Sequence, residues 1–152
     1  MWYQGRAIWI YSMLYNNFGQ DQHYLDIAKG TRDFMVKHMK AGNGTWYQRT
    51  YRNGKLKGGI YEDVIGEYFY GWMYAAKGLA ALYKITKNRE DLDMAYESIK
   101  AAIKAYDNSS YSGAWNYGGY NKDMDFTGFR VQGHSMVIIG LLAEINFHAN
   151  QY

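Results

Sequence analysis

The residues best equipped for chemistry open the chain. Met1-Trp2-Tyr3-Gln4-Gly5-Arg6-Ala7-Ile8-Trp9-Ile10-Tyr11-Ser12 sets a permanently charged guanidinium three residues before an indole, inside an otherwise apolar helical pattern. A helix that buries its neighbours carries an Arg there only with a partner or an outlet. Arg6 therefore either snorkels to solvent at the helix end or points into a polar cavity lined by Trp and Tyr. Farther on, Asp63, Glu67, Tyr70, Tyr74 and Lys77 recur at steps of four and three, which places them on one helix face. His134 follows Gly133 at the start of an apolar run, and an imidazole is the side chain that titrates near neutrality. A structural, loop-facing role fits His134 equally well. His23, His38 and His148 fall on outer faces or helix ends, have no chemical partner by spacing, and read as solvated.

Several chemistries are excluded by what is missing. With no Cys there is no thiolate nucleophile, thiolate metal site or disulfide framework. No His-x-x-x-His or His-x-Asp pair occurs and no Gly-rich phosphate loop follows a strand, so neither metal nor cofactor is expected. Glu62-Asp63, Glu67, Asp123 and Asp125 are available as carboxylates, but nothing in their spacing pairs them, and acidic residues at helix starts serve caps and dipoles. A net charge of +3 with both signs interspersed argues against nucleic acid as a partner. No run of apolar residues is long enough for a membrane span, and no basic-then-apolar leader precedes the first helix. The expected location is cytoplasmic, with an upstream signal left open because the chain starts inside a helical pattern.

The positioning elements are legible from periodicity. A first helix over about 4–16 stops at Asn16-Asn17-Phe18-Gly19. A second, over about 21–39, opens on an Asp21 cap and carries one apolar stripe. Residues 41–60 lose the helical period, and 45–57 read as a small β-hairpin closed at Asn53-Gly54. A lone hairpin is marginal in water, so its Trp and Tyr must lie on something, such as the mouth of a helical assembly. A helix over about 64–84 is apolar nearly all round and belongs in an interior, and one over about 89–106 is amphipathic. The helix over about 131–148 is apolar across Met136–Leu142 and is also read as interior. Between these last two lies a long loop, 107–129, whose aromatics, Trp115 among them, favour a functional role.

These helices form a repeat. Tyr24-Leu25-Asp26-Ile27-Ala28-Lys29 recurs as Asp91-Leu92-Asp93-Met94-Ala95-Tyr96, and Leu14-Tyr15 before the first copy matches Leu82-Tyr83 before the second. The unit is a buried helix, a short turn and an outer amphipathic helix. The chain begins without a visible partner helix and ends on half a unit, which points to a fragment of a longer chain, or else to a protomer completed as a homo-oligomer.

Trp2-Tyr3-Gln4-Gly5-Arg6-x-x-Trp9, Tyr11-Ser12-x-Leu14-Tyr15 and Tyr24-Leu25-Asp26-x-Ala28 resemble the N-acylglucosamine 2-epimerase family, which includes cellobiose 2-epimerases and aldose–ketose isomerases. Residues 81–95 look like the family's next hairpin, and Gln132-Gly133-His134-Ser135-Met136-Val137 falls where its next inner helix starts. The resemblance implies an all-α fold, helical hairpins of an incomplete (α/α)6 toroid, covering about the N-terminal half and lacking the first helix. It implies proton transfer at the sugar C2 through a ring-opened enediolate, with a mono- or disaccharide as partner and no cofactor. Arg6 matches the inner-face arginine of the family, whose role would be to stabilise the developing oxyanion. Tyr70 matches a pocket tyrosine, and Trp2, Tyr3, Trp9 and Trp115 would supply stacking surface. His134 is the catalytic or substrate-binding candidate, although the family pattern on this helix is His-x-His or Met-His, so that Met136 stands at the usual ligand position. The two acid/base histidines of the family lie on later helices. Other proteins share the toroid. Glycoside hydrolases such as unsaturated glucuronyl hydrolases would need facing carboxylates, and a non-catalytic carbohydrate-binding repeat would use the aromatic loop.

Overall fold

A computed structural model describes residues 1–60, 67–107 and 132–149. It is all-α with one small hairpin, as the periodicity requires. The elements are α1 (Trp2–Asn17), α2 (Gln22–Met39), β1 (Lys40–Gly42), β2 (Thr45–Trp46), α3 (Glu67–Thr86), α4 (Arg89–Tyr106) and α5 (Gln132–Ala149). The helix starts are set by capping. Asp21 accepts a hydrogen bond from the His23 N–H at 2.9 Å, and Asn88 accepts one from the Glu90 N–H at 3.2 Å. Past α1, Gly19 and Gln20 adopt left-handed backbone, and Lys87 does the same after α3 while its N–H reaches the Tyr83 carbonyl at 2.8 Å.

α3 is the hub, packed against α1, α4 and α5, while α1 also pairs with α2. Thus α1, α3 and α5 lie side by side, and α2 and α4 cover one flank, the hairpin order that the repeat predicts. Burial explains the layering. Phe69, Trp72, Met73, Ala75, Ala76, Leu79, Ala80 and Leu82 of α3 are all buried, so this helix has apolar surface to hide in every direction. α2 and α4 bury one stripe each, led by Leu25, Ala28, Met35 and Met39 and by Leu92, Met94, Ala95 and Ile99. α5 is only partly interior. Leu141 and Ile145 are buried against the core, whereas Met136 and Ile139 are 65% and 68% exposed.

The α1–α3 seam is close because two glycines make it so. A Cβ on Gly5 would stand 2.6 Å from the Ala75 nitrogen, and one on Gly78 would stand 2.5 Å from the Gly5 carbonyl oxygen. No side chain fits there, and the backbones are in contact.

A two-stranded ladder precedes the pairing expected over 45–57. It is β1–β2, pairing Lys40 with Trp46 and Gly42 with Thr45. Its turn is Asn43-Gly44, with φ of 51° and 75°, the pair of left-handed residues that a tight hairpin turn needs. Asn53-Gly54 also closes an antiparallel pairing, as expected: Thr50 bridges Leu56, the Tyr51 N–H donates to the Lys55 carbonyl at 2.8 Å, and the Lys57 N–H donates to the Arg49 carbonyl at 3.1 Å. Support from the core decides which pair becomes the ladder. Trp46 is 1% exposed; its Nε1–H donates to Ser98 Oγ at 2.8 Å, and its carbonyl accepts from Trp72 Nε1–H at 3.1 Å. Around Asn53-Gly54, Tyr51, Leu56 and the flanking lysines are exposed and have little to pack on. Trp46 is therefore core, not the cover of an open mouth.

The α2 and α4 layer is tied by Arg32. Its Nε donates to Asp91 Oδ1 at 2.6 Å and its Nη2 to Glu90 Oε2 at 2.8 Å. Asp91 is buried, whereas Glu90 is largely solvated.

Candidate functional site

The functional candidates converge along one edge of the α1–α3–α5 layer. Gly5, Ile8 and Ser12 of α1 face the core, which turns Trp2, Arg6 and Trp9, one turn apart, toward the neighbouring edge of α3. Tyr70, Tyr74 and Lys77 meet them there, spaced so that all three share a face. The Trp2 ring stacks on Tyr70 at 5.7 Å and on Tyr74 at 6.0 Å between centroids. The Arg6 guanidinium carbon lies 5.2 Å from the Tyr74 centroid and 5.8 Å from that of Trp2. Arg6 thus rests on two aromatic faces, Trp2 one turn earlier on its own helix and Tyr74 across the seam. A guanidinium on ring faces is weakly hydrated and pre-oriented, and its N–H edge stays free for an acceptor.

Tyr70 is the bridge to α5. Its ring meets the imidazole of His134 edge-on at 4.5 Å, and Phe69 and Tyr106 lie 4.7 Å and 6.0 Å from the same imidazole. Trp2, Tyr70 and His134, remote in sequence, thus form one contiguous line. His134 packs edge-on against Tyr70 and is fully buried, and Tyr70 is nearly as buried. Burial raises the Tyr70 hydroxyl above its ordinary value, and neighbouring Tyr74 adds to the rise, so Tyr70 stays a neutral O–H group near neutral pH.

The other half of the edge pairs Trp9 with Lys77, a residue that spacing placed on the Tyr70 face without a role. Lys77 places its ammonium 3.8 Å from the Trp9 centroid. Burial is the main influence on this amine and lowers it from its usual value, with Arg6 and Lys84 pulling the same way and Glu144 opposing. Glu144 of α5 is engaged by Lys84 in an ion pair. Tyr74 and Lys77 already belonged to the four-and-three stripe with Tyr70, so the signal was present. What the sequence lacked was the knowledge that this stripe faces Arg6. Trp2 Nε1–H is buried and has no acceptor among the described residues.

Tyr3 is 77% exposed, stacks on Trp2 at 6.0 Å between centroids, and lines a cleft of about 420 Å³ with Arg6, Ala7, Ile10, Tyr11 and Leu14. Trp115 and the aromatic loop around it lie outside the described residues, as do Glu62, Asp63, Asp123 and Asp125. His38 is not the solvated side chain its spacing suggested: it is half-buried, packs on Phe34 at 4.9 Å and sits beside Gly54. Among the described residues no cluster of His, Asp and Glu could hold a metal ion, and no helix is long and apolar enough to cross a membrane.

No protein-family model matches the chain, and no curated protein matches it.

Proposed function

We propose that this chain carries the sugar-binding wall of an epimerase- or isomerase-like (α/α) toroid acting on an N-acylhexosamine or a β-linked disaccharide. The reaction is proton transfer at C2 through a ring-opened enediolate. One observation supports the reading. Trp2, Arg6, Tyr70 and His134, which the family resemblance marks independently of one another, are joined by ring contacts of 4.5–5.8 Å. In this reading Trp2, Tyr74 and Trp9 offer faces for the apolar side of a sugar ring. Arg6 donates to the oxygen that becomes negative as the C2 proton leaves, an interaction strongest in the transition state. His134 is a positioning residue that fixes Tyr70. The acid/base histidines belong to later helices of the toroid, outside this edge.

The reading has two layers, and each has its test. This chain should bind N-acetyl-D-glucosamine or cellobiose by titration calorimetry, and Trp2→Ala, which removes a stacking face, should weaken that binding. The polypeptide that also carries the acid/base histidines should place deuterium at C2 in deuterated water. Release of reducing ends without exchange would move the assignment to a toroid glycoside hydrolase. Sugar binding with neither activity would leave a carbohydrate-binding module, and no binding of any saccharide would overturn the reading.

A further inference from the structure

Among the described side chains, charge on this edge is unbalanced. Among the described side chains of α1, α3 and α5 that meet there, Arg6, Lys77 and Lys84 are cationic, and Glu144 is the single carboxylate, already held by Lys84. Among the described residues neither Arg6 nor Lys77 has a hydrogen-bonding or ion-pairing partner; each rests on aromatic faces instead. Both are half-buried, Arg6 over Trp2 and Tyr74 and Lys77 over Trp9, so the two cations sit on aromatic rings along the same seam. Two like charges gathered on partly desolvated aromatic surface oppose each other, and each loses hydration. A fold keeps such a pair at little cost when an anion completes it. The position facing Lys77 on α5 is Gly140, which brings no side chain of its own against the ammonium. The buried N–H of Trp2, beside Arg6, is a third donor without an acceptor among the described residues.

We propose that the Arg6 guanidinium and the Lys77 ammonium, seated on Trp2, Tyr74 and Trp9, form a subsite for an acidic group, carboxylate or phosphate, of the bound saccharide. This rests on the sugar-site reading above and narrows it: the ligand is an acidic sugar. The aromatic faces take the ring, and the two cations take the anion. Arg6 then has two acceptors within its fork, the sugar oxygen and the acidic group, which suits a planar donor with five N–H bonds. Lys77 contributes a point charge.

Titration calorimetry at low salt with four probes tests this: D-glucose, N-acetyl-D-glucosamine, D-glucuronate and D-glucose 6-phosphate. One of the acidic sugars should bind at least tenfold more tightly than its neutral counterpart, and the preference should shrink as salt is raised. Which acid shows the preference identifies carboxylate or phosphate as the source. Lys77→Met, close in volume and checked for fold by circular dichroism, should abolish the preference, and Lys77→Arg should restore most of it. Equal affinity for acidic and neutral sugars overturns the acidic-sugar inference and leaves the sugar site standing. A preference that survives Lys77→Met also overturns it. Failure of all four probes to bind overturns both.

Discussion

Arg32 Nε lies 2.6 Å from Asp91 Oδ1, and this contact joins the outer helices of two successive hairpins through a carboxylate that is only 2% exposed. The partners flanking it, Asp33 and Glu90, are 70% and 60% exposed and contribute little by comparison. The link is therefore one bond to one buried acid.

Arg32→Gln should lower stability at pH 7 by about 3–5 kcal/mol, because it strands Asp91 as a buried charge. The cost depends on pH. Burial pushes the Asp91 carboxyl up, and the hydrogen bond and charge of Arg32 pull it partly back. Without Arg32 the protonated form gains further. A carboxyl raised in the folded state contributes stability fully below its unfolded value, about 4, and loses it as pH rises through the folded value. The deficit should therefore narrow from pH 7 toward pH 4. Urea denaturation of both proteins at the two pH values checks this, and an equal deficit at both would count against a charged Asp91.

Gly5→Ala tests the backbone contact of α1 and α3. In an exposed helix interior this change stabilises by about 1 kcal/mol. Here the added methyl would overlap the Tyr74–Ala75 peptide, so the sign should reverse, with a net loss of about 1–3 kcal/mol or more. The thermal midpoint should fall, and any rise would show that the helices separate easily.

Ser98 carries the hairpin's anchor. Its Oγ accepts from Trp46 Nε1–H at 2.8 Å and donates to the Met94 carbonyl at 2.8 Å. Ser98→Ala leaves a buried indole N–H unpaired and should cost about 1–3 kcal/mol. Hydrogen exchange should quicken at Trp46 and Tyr47 more than in α1, since those amides belong to the segment that Ser98 pins.

Arg6→Gln should slow C2 exchange by about 10²–10³-fold in the polypeptide bearing the acid/base histidines, the range expected for loss of one oxyanion donor. The loss should fall mainly on kcat. A change confined to KM would assign Arg6 to ground-state binding alone.

Much of this molecule is written in its periodicities. The residues that bury α3 on all sides and α2 and α4 on one side are readable as stripes, and the caps Asp21 and Asn88 are local chemistry. The hairpin order follows from the Leu-Asp-x-Ala repeat. Other features required the folded chain. Both Asn43-Gly44 and Asn53-Gly54 encode a turn, but only the first has a Trp that Ser98 can hold, and that contact spans 52 residues. Lys77 looked like one more polar residue on a long stripe, because sequence spacing fixes a helix face and leaves its neighbour undefined. Packing through Gly5 and Gly78 sets the rotation of α1 on α3, and with it the meeting of Arg6 with Tyr74 and of Lys77 with Trp9. The helices are thus local properties of the sequence, while the candidate site is a property of how two of them touch.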